Sequence, residues 1–464
     1  MKSRLLLLVV LCVLLLGACS LAPSYKRPPS PVPEAWSSGA TVSGTASLGP
    51  EAPWRSFLAD EGLQRIIETA LTNNRDLRLA ALNVERTQAL YGIARADLLP
   101  SVNVMGSGSK GRIPADLTNT GSASTNEQYS VSLGISSWEI DFFGRLRNLR
   151  DKALEEFLAT DQARRGAQIL LVSSVSNACL TLAADRETLQ LAEATLTAQE
   201  EAFRIIQKRR DAGMASELDL RRAQSSVETA RGDVARYTQL VAQDTNVLNL
   251  LVGSPVPAAW LPPSLAAIRP LSDISPGLSS ELLLRRPDIL AAEHRLKGTY
   301  ANIGAARAAF FPRISLSTTI GTASAELSGL FKDGSSTWSF APQIALPIFD
   351  ARTWSAYRVT KVDRRIAVAQ YEKAIQSAFR EVADALAERD AVGRQIAAQE
   401  SLIQALAETY RLARARYLKG MDSYLGVLDA QRSLYAGQKG LVALQFARIA
   451  NLVSLYKVLG GGAS

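Results

Sequence analysis

The sequence predicts a mostly helical chain that also contributes to a membrane β-barrel, built from two equivalent halves. Three observations lead there. A proline-free stretch from Arg145 to Arg210, followed by a glycine turn, reads as one arm of a very long helical hairpin. The hairpin occurs twice, and each copy is preceded by segments in which apolar and polar residues alternate.

Between Arg145 and Arg210 only Gly166 weakens the helix, so nothing there ends it. At ~1.5 Å per residue the stretch makes a rod of roughly 100 Å, deeper than any globular core. Val175, Leu182, Leu189, Leu196 and Phe203 recur every seven residues, and after the turn at Asp211-Ala212-Gly213 so do Leu220, Val227, Val234, Val241 and Leu248. That period makes both arms left-handed coiling rods, each with a seam for neighbours. Arg352 to Leu459 repeats the hairpin at an offset of 207 residues: Gly213 falls on Gly420, Gly253 on Gly460, and Val175, Leu189, Leu196 and Phe203 on Val382, Ile396, Ile403 and Tyr410. A repeat this long is a duplicated half-protein rather than a solenoid unit, and it predicts pseudo-symmetry.

Apolar residues make up 47% of the chain and aromatics only 6%, which suits close packing of Ala/Leu helices better than a bulky core. The net charge of +8 comes from arginines interspersed with acids along helices, the pattern of solvated faces; no nucleic-acid partner is expected. Lys2 and Arg4, the apolar run Leu5 to Leu16 and Gly17-Ala18-Cys19 form a secretory leader whose run is short for a membrane span. Its end resembles a bacterial lipobox, which implies an S-diacylglyceryl and N-acyl lipid on Cys19 as the only covalent addition. After cleavage only Cys19 and Cys179 remain, so no disulfide framework is expected, and Cys179 reads as a small packing residue.

The boundaries drawn are a signal peptide over 1–18, an acylated tether over 19–59, a first repeat over 60–254, a linker over 255–278, a second repeat over 279–460 and a short end over 461–464. The tether is rich in proline, serine and glycine and is expected to be extended, with no core of its own. Helical patterning starts near Asp60, breaks at Asn73-Asn74-Arg75-Asp76 and resumes to Leu99. The second repeat matches it over Ser279 to Arg286, a break at Pro287-Asp288, and a helix to Phe311.

Strands follow each helix. One starts at Ser101-Val102-Asn103-Val104; the next, Tyr129 to Phe142, carries Val131, Leu133 and Ile135 on one face and then Trp138, Ile140 and Phe142, so a bulge is expected near Ser136-Ser137. In the second repeat Ile314, Leu316 and Thr318 alternate with polar residues, as do Trp338, Phe340, Ile344, Leu346 and Ile348. Gly111 to Gln128 and Thr322 to Thr337 read as loops. Each segment is about the ~9 to 11 residues that a tilted strand needs to cross a bilayer. Four strands cannot close a barrel and an open edge cannot face lipid, so several copies must pool their strands, and their hairpins form a second tube continuous with the first.

The leader, the tether Pro23-Ser-Tyr-Lys-Arg-Pro-Pro29, Asn74-Arg75-Asp76-Leu77, Trp138-Glu-Ile-Asp-Phe-Phe-Gly-Arg145, Arg285-Arg286-Pro287-Asp288-Ile289, Gly304-Ala-Ala-Arg-Ala-Ala-Phe-Phe-Pro312, Leu346-Pro-Ile-Phe349 and Leu428-Asp-Ala-Gln-Arg-Ser433 resemble the lipoprotein branch of the outer-membrane efflux factors, from Cys19 to Gly462. The resemblance implies a homotrimer with a 12-stranded barrel continuous with a long α-helical periplasmic barrel. It implies a passive, gated exit duct for small toxic compounds in a tripartite multidrug pump, partnered by a periplasmic adaptor and an inner-membrane resistance-nodulation-division transporter. By motif, Leu425 gives an apolar constriction and Tyr417, Asp429 and Arg432 a polar latch near the periplasmic tip. The repeat sets Arg222 at the position matching Asp429, which suggests a cross-helix pair; a routine Asp429–Arg432 pair one turn apart is the plainer reading. The tips Gly213, Met214, Ser216 and Gly420, Met421, Ser423 dock the adaptor, with Ser216 and Asp219 as a capping box that Ser423 lacks, since Gly426 offers no acid.

No enzymatic constellation stands out. His294 is the only histidine, too few for a usual zinc site with two distant cysteines, and Gly460-Gly461-Gly462 opens no helix that would cradle phosphate. The competing functions are the duct of a type I protein-secretion system and a non-conducting lipid-anchored coiled-coil spacer. Conductance separates duct from spacer, and drug susceptibility separates efflux from protein export.

Overall fold

The computed structural model describes residues 20–36, 53–119, 121–268 and 280–461. The leader, Cys19, and parts of the tether, linker and chain end lie outside the described residues. Two compact units result, one from segments 1–29, 83–160 and 291–371, the other from 30–82, 161–290 and 372–464, so each draws on both sequence halves.

The first unit contains a four-stranded antiparallel sheet in the order β1 (Val102–Ile113), β2 (Ser124–Glu139), β3 (Arg313–Ser324), β4 (Ser336–Ala345). Directly opposed residues point the same way, so the register defines the faces. One row runs Val104, Leu133, Ile320, Trp338 and another Val102, Ile135, Thr318, Phe340. Row by row the same pairing gives the other face Asn103, Gly134, Thr319 and Ser339. The expected bulge is present: the register shifts between Ile135 and Trp138, Ser137 takes φ 54°, and the change of parity keeps Trp138 on the apolar face opposite Leu316. That face is uncovered, with Val104 73%, Ile320 65%, Trp338 78% and Ile344 69% exposed. β1 and β4 each leave one edge unpaired.

Several strand expectations need correction. Gly111–Ile113 and Ser124–Gln128, and in the second repeat Thr322–Ser324 and Ser336–Thr337, are strand rather than loop, because a backbone ladder needs no apolar side chains. β2 ends at Glu139, three residues before Phe142, and β4 ends at Ala345, before Leu346 and Ile348, where Pro347 removes a donor.

The helices in chain order are α1 (Trp54–Phe57), α2 (Glu61–Asn73), α3 (Arg75–Ala96), α4 (Arg145–Asp211), α5 (Glu217–Val252), α6 (Pro287–Ala308), α7 (Ala351–Leu418) and α8 (Tyr424–Val458). α4 and α7, at 67 and 68 residues, are the uninterrupted rods expected. Asp60 caps α2 by accepting from the Leu63 amide at 2.9 Å, and Asn74 makes the break before α3 by accepting from the Leu77 amide at 2.8 Å. In the second repeat Ser280–Arg285 is 3₁₀ rather than α-helix, and Pro287 opens α6 instead of breaking it. Its missing N–H is one that a helix start leaves unpaired in any case. Gly253 closes α5 with φ 77° and sits where a Cβ would lie 2.6 Å from the Asn73 carbonyl, so only glycine fits there.

The N-terminal stretch is extended, but residues 20–29 are docked, contrary to expectation. Arg27 donates to both oxygens of Glu293, at 3.1 and 2.8 Å, and Tyr25 donates to the same carboxylate at 3.0 Å. Arg307 donates to the Leu21 carbonyl at 3.0 Å, and Gly304 leaves room for Ala22, whose amide would lie 2.8 Å from a Cβ there. Proline content points only to an extended tether with no core of its own, yet extended chain presents its side chains freely. Burial works to raise the Glu293 pKa, but the hydrogen bonds from Arg27 and Tyr25 outweigh it and hold the carboxyl below the usual range. The contribution is therefore complete above the ordinary glutamate pKa and disappears as pH falls through the lowered one. Arg27→Met removes the two-pronged partner of a carboxylate that is 4% exposed, leaving Tyr25 and Lys297 on it, and is expected to cost roughly 1–3 kcal/mol, read as a lower melting temperature at pH 7 whose deficit shrinks as pH falls through the lowered glutamate pKa.

Candidate functional site

In the second unit, the turns of the two hairpins are built alike. At the first, the Met214 amide donates to the Arg209 carbonyl at 2.7 Å and the Gly213 amide to Arg210 at 2.9 Å; at the second, Met421 donates to Arg416 at 3.0 Å and Gly420 to Tyr417 at 2.9 Å. Both glycines have φ 73°. This double bond pattern closes a helix on a left-handed residue, which explains the glycine in each copy. The turns differ on the far side. Ser216 accepts from the Asp219 amide at 3.0 Å and donates its hydroxyl proton to the Asp219 carboxylate at 2.8 Å, so the acid does not reach back to the Ser216 amide as a full capping box would. Ser423 makes no side-chain cap, and Asp422 is held instead by Arg416 at 3.1 Å. Met214 and Met421 are exposed at the tips, 64% and 60%.

Behind the turns Ile206, Leu220, Ala223, Tyr424, Val427 and Leu428 form a buried cluster that draws all four hairpin helices together, with Phe203, Tyr410 and Tyr417 packed against it. Tyr417, expected in a polar latch, belongs to this cluster. Its ring lies 5.2 Å from that of Tyr424 and under the Arg209 guanidinium at 4.9 Å, and its hydroxyl is enclosed without a hydrogen-bond partner. Burial, with Tyr410, Tyr417 and Asp219 nearby, pushes the Tyr424 phenol up to about 12.

Leu425, Asp429 and Arg432 are spaced i, i+4, i+7 on α8 and are exposed, while Tyr424, Val427, Leu428 and Gln431 take the buried face. The three thus form a stripe that the described chain leaves uncovered. The expected Arg222–Asp429 pair is not formed: Arg222 turns to Asp219, 3.8 Å away on its own helix. Neither Asp429 nor Arg432 has an ion-pair partner within 4.0 Å among the described residues, so the plainer pair one turn apart is not formed either. Sequence reasoning missed Tyr424 as the centre of the cluster, although it lies 207 residues after Glu217, at the first turn of the matching helix. Among the described residues no group of three or more His, Cys, Asp or Glu side chains is placed to hold a metal. Cys179 is buried and its thiol is pushed up to about 12 by desolvation, with Asp60 adding to the shift. His294 Nδ1 lies 2.7 Å from Glu155.

An open sheet with one uncovered apolar face, carried with two long helical hairpins, has clear counterparts. The profile of the outer membrane efflux protein family matches residues 66–254 and 278–461. The chain belongs to this family. Among its relatives are the antibiotic efflux pump outer membrane protein ArpC and the toluene efflux pump outer membrane protein TtgC of Pseudomonas putida. Each is 46% identical over 464 residues, covering 99% of this chain and 96% of the relative. Among solved structures, the open state of the MtrE outer membrane channel of Neisseria gonorrhoeae aligns with a TM-score of 0.87 at 36% identity, covering 96% of this chain and 99% of that one. The efflux protein is thus an outer-membrane protein.

Proposed function

We propose that this efflux protein is a homotrimeric, passive exit duct: three four-stranded sheets join edge to edge into a 12-stranded barrel, and the hairpins of the three copies line a tunnel below it. The observation that carries this reading is the sheet itself. An apolar face with two unpaired edges is untenable in lipid unless the edges are paired, and pairing β4 of one copy with β1 of the next does so without any other chain. The duct serves small toxic compounds, in keeping with the antibiotic and toluene pumps named for its relatives. Energy comes from an inner-membrane resistance-nodulation-division transporter, linked by a periplasmic adaptor that docks on the exposed tips around Gly213, Met214, Ser216 and Gly420, Met421, Ser423. A diacylglyceryl and N-acyl lipid on Cys19 anchors the amino end in outer-membrane lipid. The duct is not an enzyme and needs no bound cofactor.

Leu425, Asp429 and Arg432 form the gate, on the uncovered α8 stripe, with Arg222 on the matching face of α5. Single-channel recording in planar bilayers tests the duct and the gate together. Wild-type protein is expected to conduct weakly, and Asp429→Ala and Arg432→Ala each to raise conductance several-fold. A wild type and variants that never conduct would rule out a duct and favour a spacer; conducting variants no different from wild type would remove the gate assignment alone.

A further inference from the structure

Just behind the gate stripe, α4, α5 and α8 enclose a cavity of about 70 Å³, lined by Thr195, Gln199, Ser226, Thr229, Asp233 and Arg432 among others. Its walls are rich in acceptors. The hydroxyls of Thr195, Ser226 and Thr229 donate their protons to the carbonyls of Leu191, Arg222 and Ser225, at 2.8, 3.2 and 2.8 Å, which leaves only lone pairs for any other partner. Gln199 is 5% exposed, and its Oε1 is buried with no hydrogen-bond partner. Asp233 is half-buried beside the Tyr435 hydroxyl, itself enclosed in the cavity wall, and has no ion-pair partner within 4.0 Å among the described residues. A buried acceptor left unpaired is costly, and Gln199 Oε1 beside the Asp233 carboxylate calls for a donor with multiple protons and a positive charge. Arg432 is the one cationic side chain in the cavity wall, and its outer part is exposed on the stripe with no ion-pair partner among the described residues.

We propose that this cavity is an inward seat for the Arg432 guanidinium, so that the arginine alternates between the exposed gate stripe and a buried position on Asp233 and Gln199. The inference rests on the gate reading and deepens it by naming the second state. Outward, the charge narrows the tunnel. Inward, the planar fork meets one carboxylate and the unpaired amide oxygen, and the stripe is cleared. Desolvating the guanidinium opposes the new bonds, which keeps the two positions close in free energy, as a gate requires.

The test labels Arg432 in the detergent-solubilised full-length protein with phenylglyoxal, read by mass spectrometry of its peptide, alongside conductance. With the two positions nearly balanced, Asp233→Asn removes the inner one and is expected to speed Arg432 labelling about twofold and to lower open probability. Gln199→Leu, which removes the unpaired acceptor without introducing a charge, is expected to do the same and guards against an effect of Asp233→Asn on folding. Labelling unchanged in both variants overturns the seat, even where Arg432→Ala opens the channel and the gate reading stands. Faster labelling in both, with conductance indifferent to Arg432→Ala, upholds the seat and overturns the gate.

Discussion

Valine in place of Gly134 is expected to eliminate the assembled oligomer. A Cβ at Gly134 would lie 2.3 Å from the Thr318 carbonyl oxygen and 2.8 Å from the Thr319 Cα, and both are backbone atoms of the neighbouring strand. No rotamer relieves such a clash; β2 and β3 must part or slip, and a slip by one residue turns every apolar side chain to the wrong face. Gly106, in β1, is the matched control, since a Cβ there meets nothing within 4 Å. Gly106→Val is expected to leave the oligomer intact, and Gly134→Val to leave only monomer and aggregate, as read by size-exclusion chromatography in detergent. Equal oligomer yields from the two would show that the β2–β3 register does not limit assembly.

The second large effect concerns the lipid face. Ile320 sits mid-row between Leu133 and Trp338 and is 65% exposed. Arginine on a lipid face costs roughly 2–4 kcal/mol at the membrane midplane and less towards the interfaces, and the proposed trimer would incur it three times. Ile320→Arg is therefore expected to reduce outer-membrane yield at least tenfold. Thr337→Arg, adjacent to Trp338 on the opposite face, is expected to insert normally, because in the proposed barrel that face lines water. If membrane fractionation showed both variants equally impaired, the assignment of faces would be wrong.

What could be read from residues alone followed from periodicity. The seven-residue seam marked the rods, and their ends followed from Gly213 and Gly420, because only a left-handed turn residue answers that need. The bulge at Ser137 was legible because the apolar side chains change parity between Ile135 and Trp138 while the face they must serve does not. Gly111–Ile113 and Ser124–Gln128 were not legible, since a polar ladder and a polar loop share a composition. Nor was the docking of Arg27 on Glu293, a contact 266 residues apart that no local pattern encodes. The candidate gate was half legible. The motif marked Leu425, Asp429 and Arg432, which share one exposed stripe; but Arg222 found a nearer acid on its own helix, and Tyr417, polar by name, is packed by its ring into an apolar cluster.

All of these expectations depend on a sheet that is complete only when copies join. Measuring the mass of the detergent-extracted particle, with bound detergent subtracted, tests this directly. Three copies of the chain, twelve strands in all, are what the unpaired edges of β1 and β4 predict; a stable monomer that stays soluble without detergent would contradict it.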